Sequence, residues 1–439
     1  MGGYLSVNEH DRRAMMDVIG IASEKELYRD VPGEMLLQNG LQLPEGKSEM
    51  EVLKEMGRMA SQNTVFPVIF RGAGAYRHYI PAIVSEVVSK ETFLTAYTPY
   101  QAEISQGILQ SIFEYQTMIC ELTGMEVSNA SVYDGATAAA EAAAMCRDKK
   151  RNKVLVSSCA HPDVIRVMQT YSWAANAKLE LIPAKDGKTD LEVMKEMLDE
   201  ETAAVYIQQP NFYGCIEDAP EAAGLAHAAK AKLIMGVNPI AQAILKTPAE
   251  CGADIAVGEG QPLGMPLSWG GPYLGFMATG KDMMRKLPGR IVGETTDDQG
   301  RRAYVLTLQA REQHIRREKA SSNICSNEAL CAMTAAVYMA AMGREGVKQA
   351  ALQSASKAHY MAERLAKAGF TRKYPGEFFH EFVTDCPGNC AAIMTALEKA
   401  GILGGLPLAD GSILWCATEM NTKEEIDRTA AILEEVTKS

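Results

Sequence analysis

Between about Thr64 and Leu308 the chain alternates short apolar runs with segments whose apolar residues recur every three or four positions. Lys153–Ser157 reads as a buried strand, and Leu179–Ile182, Ala203–Gln208 and Lys232–Gly236 read as further strands, because short apolar-rich runs alternating with helices suit a parallel sheet. The intervening segments predict helices over Ile108–Thr123, Ala136–Arg147, Val164–Tyr171, Asp190–Glu200 and Glu221–Lys230, with Gly124 stopping the first and Asp190 capping the fourth. Strands alternating with helices imply parallel β-α units with helices on both faces. After Leu308 the pattern changes. Helical runs over Cys325–Met342 and Val347–Ala368 are followed by short strands near Phe378–Phe382 and Ser412–Ala417, a helix over Cys390–Ala400 and a charged final helix over Lys423–Val436. Before Thr64, two short helices around the Pro32-Gly33 break have too few apolar residues for a core of their own. The expected organisation is therefore a helical arm over 1–62, a large α/β domain over 63–315 and a smaller α+β domain over 316–439.

Composition narrows the function without choosing it. The chain has 439 residues, long enough for two packed domains, and 47% of them are hydrophobic. Its net charge of -11 argues against nucleic acid, which a protein grips with a basic face. No run of ~20 apolar residues suits a bilayer. The stretch Gly260–Gly280 is uncharged, but Pro262, Pro266 and Pro272 break it. The N-terminus has no apolar core of a signal peptide, and its Met-Gly start with Ser6 lacks the second signal that stable lipid anchoring requires. A cytoplasmic protein is expected. The ten cysteines are scattered, and the one close pair, Cys386 and Cys390, has neither redox nor zinc-site spacing.

Three segments could carry chemistry. Asp134-Gly-Ala-Thr137 opens an alanine-rich helix, where free amides and the helix dipole suit an anion such as phosphate, and equally suit a simple cap. Tyr97, Thr98, Tyr100, Gln101, Glu103, Ser105, Gln106 and Gly107 crowd polar side chains beside aromatics just ahead of a helix, as an ordered loop or as a wall facing a ligand. Arg317, Ser322 and Asn323 fall at the junction of the two expected domains, ahead of a long helix, where a cleft can form and a further anion position is expected.

Phe70–Val84 (FRGAGAYRHYIPAIV), Leu94–Gly107 (LTAYTPYQAEISQG), Phe113–Ala142 and Leu308–Cys325 (LQAREQHIRREKASSNIC), with the opening Asp11–Gly20, resemble in order the N-terminal half of glycine decarboxylase P-proteins. One departure is Ala102, where that family usually has proline. The resemblance implies the pyridoxal-phosphate-dependent transferase fold of the aspartate-aminotransferase class, fold type I. It also implies the family's reaction: glycine is decarboxylated through a pyridoxal-phosphate imine and its aminomethyl group passes to the lipoyl arm of the H-protein. Such a cofactor requires a Schiff-base lysine and an acid beside the pyridine nitrogen. Aligned without gaps on cofactor-bearing subunits, this chain has Met235 at the acid's position and Gln261-Pro262 where the lysine should stand. Lys246 and Lys281, the nearest lysines, read as solvated charge. The expectation is thus the first (alpha) subunit of a two-subunit enzyme, paired as alpha2beta2 with a homologous beta subunit that holds pyridoxal phosphate and whose site the polar loops complete. An independent pyridoxal-phosphate lyase and an inert scaffold are the alternatives.

Overall fold

The computed structural model describes residues 6–37, 39–96, 99–308 and 313–438. It divides into two compact units, residues 1–65 and 66–439.

The first unit contains two helices, α1 (Glu9–Ile19) and α2 (Glu49–Ala60), separated by short 3-10 turns. Each starts with a reciprocal capping box, Asn8 with Asp11 and Ser48 with Glu51, so local hydrogen bonding alone defines their first turns. Neither helix contains a buried residue.

The second unit is built on a seven-stranded sheet. Its strands are β1 (Val127–Ser128), β2 (Lys153–Ser157), β3 (Lys178–Ile182), β4 (Thr202–Gln209), β5 (Lys232–Val237), β6 (Ile255–Glu259) and β7 (Gly275–Thr279). They lie in the order β1-β7-β6-β5-β4-β2-β3, parallel from β6 through β3, with β7 antiparallel to both of its neighbours. The central strands bury both faces. In β5, Leu233 and Met235 join the core beneath α3 (Gln106–Thr123), while Ile234 points into the core beneath α4 (Gly135–Cys146) and α5 (Pro162–Ala174). Two more helices, α6 (Leu191–Met197) and α7 (Ala219–Ala228), follow β3 and β4. A long hairpin, β8 (Ile291–Thr296) with β9 (Arg302–Thr307), packs on α3.

The smaller domain has its own core of Phe370, Phe382, Ile402, Trp415, Ile426 and Leu433. A three-stranded antiparallel sheet of β10 (Glu381–Thr384), β11 (Leu406–Pro407) and β12 (Ile413–Cys416) has β12 in its centre. The Trp415 indole donates to Thr384 Oγ1 at 2.9 Å, so the large ring is buried with its polar atom satisfied. Helix α8 (Ala329–Lys367) runs from the large core to this one, with α9 (Cys390–Lys399) and α10 (Lys423–Lys438) completing the layer.

Two expectations change here. The helical run expected from Cys325 begins at Ala329; the expected break after Met342 falls at Gly343 (φ 60°), where glycine alone takes this backbone without strain, and helix resumes beyond it to Lys367. The hairpin β8–β9 escaped the sequence reading, because only Ile291, Val292 and Tyr304 of its twelve residues are buried and the apolar signal is correspondingly thin.

Candidate functional site: a carboxylate-lined cavity at the strand ends

The carboxyl ends of parallel strands leave a crevice where helices and loops diverge, and here that crevice is a cavity of about 380 Å³. β2 contributes His161 through the turn after it, β4 Gln208, β5 Asn238 beyond its last residue, and β6 Glu259. Asp134 and Gly135 enter from the start of α4, Ala73–Tyr76 from a preceding loop, and His380 and Glu381 from the smaller domain.

Glu259 dominates the α4 side. One carboxylate oxygen accepts from the Gly135 amide at 3.0 Å, and the other accepts from the Gln261 and Leu274 amides, both at 3.0 Å. Asp134 accepts from the Thr137 amide at 2.7 Å. The chain's own carboxylates thus occupy the helix start that a bound anion would use. The approach is so close that a Cβ on Gly135 would lie 2.8 Å from the Glu259 nitrogen. On the opposite wall Glu381 accepts from the Ala73 amide at 2.6 Å and from the Tyr76 hydroxyl at 2.7 Å. Burial pushes the carboxyls of both Glu259 and Glu381 up to about 7. His380 is 2% exposed, and neither ring nitrogen has a partner among the described residues. Burial, reinforced by His78, holds its pKa well below the usual histidine range, so the ring is neutral.

These residues do not fit pyridoxal phosphate. That group requires a lysine, an acid at the pyridine nitrogen and a free anion cradle. No lysine or arginine is among the described residues lining the cavity. Met235 is fully buried within β5, paired across to Ile207 and Ala256. Gln261 is committed to the loop before it: its side chain accepts from the Tyr76 amide and donates to the Tyr76 and Met265 carbonyls. Lys246 is exposed, and Lys281 forms a surface ion pair with Glu126 at 3.3 Å.

Of the residues singled out from sequence, Asp134 is the one in the cavity wall, and Thr137 lies one turn behind it. Tyr97 and Thr98 lie outside the described residues. Tyr100 donates to Asn327 Oδ1 at 2.5 Å and packs beneath the Arg290 guanidinium, 4.4 Å away. The Gln106 side chain bonds the Ala102 and Tyr304 carbonyls and the Tyr304 amide, fastening the start of α3 to β9. Ser105 caps α3 without a side-chain bond. Glu103, Gln106 and Gly107 line a second concavity of about 590 Å³ with the β8–β9 hairpin, and Gln101 and Arg317 are exposed. Ser322 donates to Glu141 at 2.8 Å and Asn323 to the Tyr171 hydroxyl at 3.0 Å. They precede α8 by several residues, so the anion position expected there, at a helix start, does not form. The structure does not gather these segments into one pocket.

Sequence reasoning gave no role to His161, Gln208, Asn238, Glu259, His380 or Glu381. The first four share one signal, a polar residue at or just past the end of an apolar strand. His380 and Glu381 share another, polar residues inside the apolar run Phe378–Val383.

Strand order, helices on both faces, a smaller C-terminal domain and a crevice at the strand ends define the large class of fold-type-I pyridoxal-phosphate-dependent enzymes. A cysteine desulfurase from Thermococcus onnurineus, 16% identical, shares this fold with a TM-score of 0.65 over 90% of this chain and 100% of that one. The chain belongs to the glycine cleavage system P-protein family, whose model matches residues 2–433. It is 50% identical to a probable glycine dehydrogenase (decarboxylating) subunit 1 from Carboxydothermus hydrogenoformans, over 96% of this chain and 97% of that protein. A crystal structure of a glycine decarboxylase (P-protein) of the glycine cleavage system, in inhibitor-bound form, superposes with a TM-score of 0.93 at 42% identity, covering 99% of this chain and 100% of that one.

Proposed function

We propose that this chain is the first, alpha, subunit of a two-chain cytoplasmic glycine decarboxylase, joined to a homologous beta subunit as alpha2beta2. The beta subunit holds the pyridoxal phosphate. Together the two decarboxylate glycine and pass its aminomethyl group to the lipoyl arm of the H-protein. One observation carries the division of labour: the cavity where this fold places its cofactor is lined by carboxylates, Glu259 fills the helix start, and the sequence has Met235 and Gln261-Pro262 where the two anchors are expected. The name of the relative from Carboxydothermus hydrogenoformans, a subunit 1, supports the pairing.

An arm over residues 1–62 fits a partner-wrapping role, since Met15, Val18 and Ile19 of α1 and Met50, Leu53 and Met56 of α2 are exposed apolar side chains. Gln101, Glu103 and Arg317 are exposed side chains with no partner among the described residues, as groups reserved for the neighbouring subunit's site would be.

Purifying each subunit and the complex, adding pyridoxal phosphate and recording visible absorbance tests the reading. The beta subunit and the complex are expected to turn yellow, this chain to remain colourless, and exchange of labelled bicarbonate into glycine to require both. A stoichiometric borohydride-trapped lysine adduct on this chain would overturn it.

A further inference from the structure

We infer that the cavity at the strand ends is a binding site for a small protonated primary amine. The inference rests on the reading that this cavity does not take pyridoxal phosphate, and extends it by giving the cavity a ligand of its own.

Charge selects the sign of the ligand. Asp134, Asp163, Glu259 and Glu381 line the space, and no lysine or arginine does so among the described residues. Asp163 is paired with Arg166 outside the cavity, which leaves three carboxylates without a cationic partner there. Above about pH 7, where Glu259 and Glu381 are ionised, an anion would meet these charges, and it would find the Gly135 and Thr137 amides of α4 already bonded to Glu259 and Asp134. A cation meets oxygens with lone pairs to spare, because each Glu381 oxygen accepts only one hydrogen bond from the chain.

His380 supplies the independent sign that something is meant to enter. A buried imidazole without a partner forfeits a hydrogen bond at each nitrogen, a loss that folded chains seldom tolerate. Held neutral, it offers one acceptor nitrogen, as an ammonium N–H requires. The neighbouring Tyr76 ring, 4.6 Å from it centre to centre, gives an aromatic face of the kind that attracts cations. Size restricts the rest of the ligand: about 380 Å³ suits an alkylamine or a small amino acid. Asn238, also in the wall, has a side-chain Nδ2 with no partner among the described residues.

Calorimetric titration of the full-length chain with methylammonium chloride tests this, against tetramethylammonium chloride at equal ionic strength and against sodium phosphate. Methylammonium is expected to give saturable one-to-one binding, and the other two none, since tetramethylammonium has the charge without N–H donors. Glu381→Gln and His380→Leu are each expected to weaken binding at least tenfold. The histidine variant loses no hydrogen bond within the protein, so it remains a test even if the glutamate variant folds poorly. Glycine competing with methylammonium would extend the site to amino acids, and methylammonium binding alone would confine it to amines; both outcomes uphold the amine. No saturable heat up to about 100 mM methylammonium, far weaker than millimolar affinity, would overturn the inference. So would unchanged affinity in both variants, or preferential binding of phosphate. Colour developing with pyridoxal phosphate and displaced by methylammonium would instead overturn the cofactor-free reading beneath it.

Discussion

Replacing Glu381 by glutamine removes a titrating group while keeping most of its hydrogen-bonding shape. The amide oxygen can still accept from Ala73, and the amide nitrogen can donate to the Tyr76 oxygen, which turns from donor to acceptor. Glu381 is 5% exposed, and burial pushes its carboxyl from the ordinary 4.5 to about 7. A raised folded-state value means that, between those two pH values, the folded chain holds a proton that the unfolded chain has released. Stability contributed by this group is therefore present at low pH, falls as pH rises through 4.5 to 7, and is lost above that range. The separation of the two values corresponds to about 3 kcal/mol, and relaxation of the site reduces it to about 2. At pH 5 the variant should match the wild type to within about 1 kcal/mol, the scale of one rearranged hydrogen bond. At pH 8 it should be more stable by about 2 kcal/mol, because it has no charge to bury. Glu141 and Glu259 are also raised to about 7 by burial, but both proteins contain them and their effect cancels in the difference. Urea denaturation at pH 5, 6, 7 and 8 gives the comparison. Parallel stability curves, or a variant that loses ground as pH rises, would refute the argument.

The remaining expectations concern the helix start, the loop before α3 and the two assays already described. Gly135→Ala places a methyl 2.8 Å from the Glu259 backbone nitrogen and should destabilise the chain by about 1–3 kcal/mol, as overpacking does; an unchanged melting temperature would show that the two segments move apart freely. Gln106→Ala removes three hydrogen bonds to Ala102 and Tyr304, so it should lower stability by about 1–3 kcal/mol. Gln101→Ala and Arg317→Ala remove exposed side chains and should leave melting unchanged while slowing bicarbonate exchange in the complex roughly a hundredfold, the usual effect of losing one donor at a catalytic site. Wild-type exchange in both would mean that these side chains do not reach the partner's site. Colourless behaviour with pyridoxal phosphate and saturable binding of methylammonium complete the set.

How much of this was legible depended on whether a residue's role is set by its neighbours in sequence or in space. Strands β2, β4 and β5 were visible because burial on both faces forces consecutive apolar residues, and Val154, Leu155 and Val156 or Leu233, Ile234 and Met235 satisfy that rule wherever they sit; β3, at the sheet edge, is mostly exposed and buries only Ile182. The Asp134 cap was visible because its partner, Thr137, is three residues away. Ser322 and Asn323 were placed at a helix start that lies further along, since α8 begins at Ala329 only after the Asn327 side chain has donated to the Ala130 carbonyl and the Glu328 amide to the Ser131 hydroxyl. Gln106 left two readings open, an ordered loop or a wall facing a ligand, and its bonds to Tyr304, 198 positions distant, are of a kind no local pattern announces. The cavity itself joins Tyr76, Glu259 and Glu381, and no local pattern announces that meeting.

What the sequence did reveal about the cavity was the absence of both expected anchors, and the local hydrogen bonding shows what stands in their place. A helix start beneath a cavity exposes amides that must find acceptors, because water reaches them poorly. A bound phosphate is one acceptor; a carboxylate from the next strand is another. Glu259 is that second solution, and its three amide bonds to Gly135, Gln261 and Leu274 join α4, the loop after β6 and the lead into β7. Met235 follows the same logic. An acid in the middle of β5, with neither a pyridine nitrogen nor a cation to face, would be a buried charge without a partner, whereas a thioether simply packs. On the proposed reading, Glu259 and Met235 thus satisfy by hydrogen bonding and by packing two positions that a bound cofactor would otherwise engage. The other walls, Tyr76, His161, Asn238 and His380, add polar groups that neither Glu259 nor Met235 engages. His380, without a partner among the described residues, is the group for which the proposed amine ligand supplies a reason.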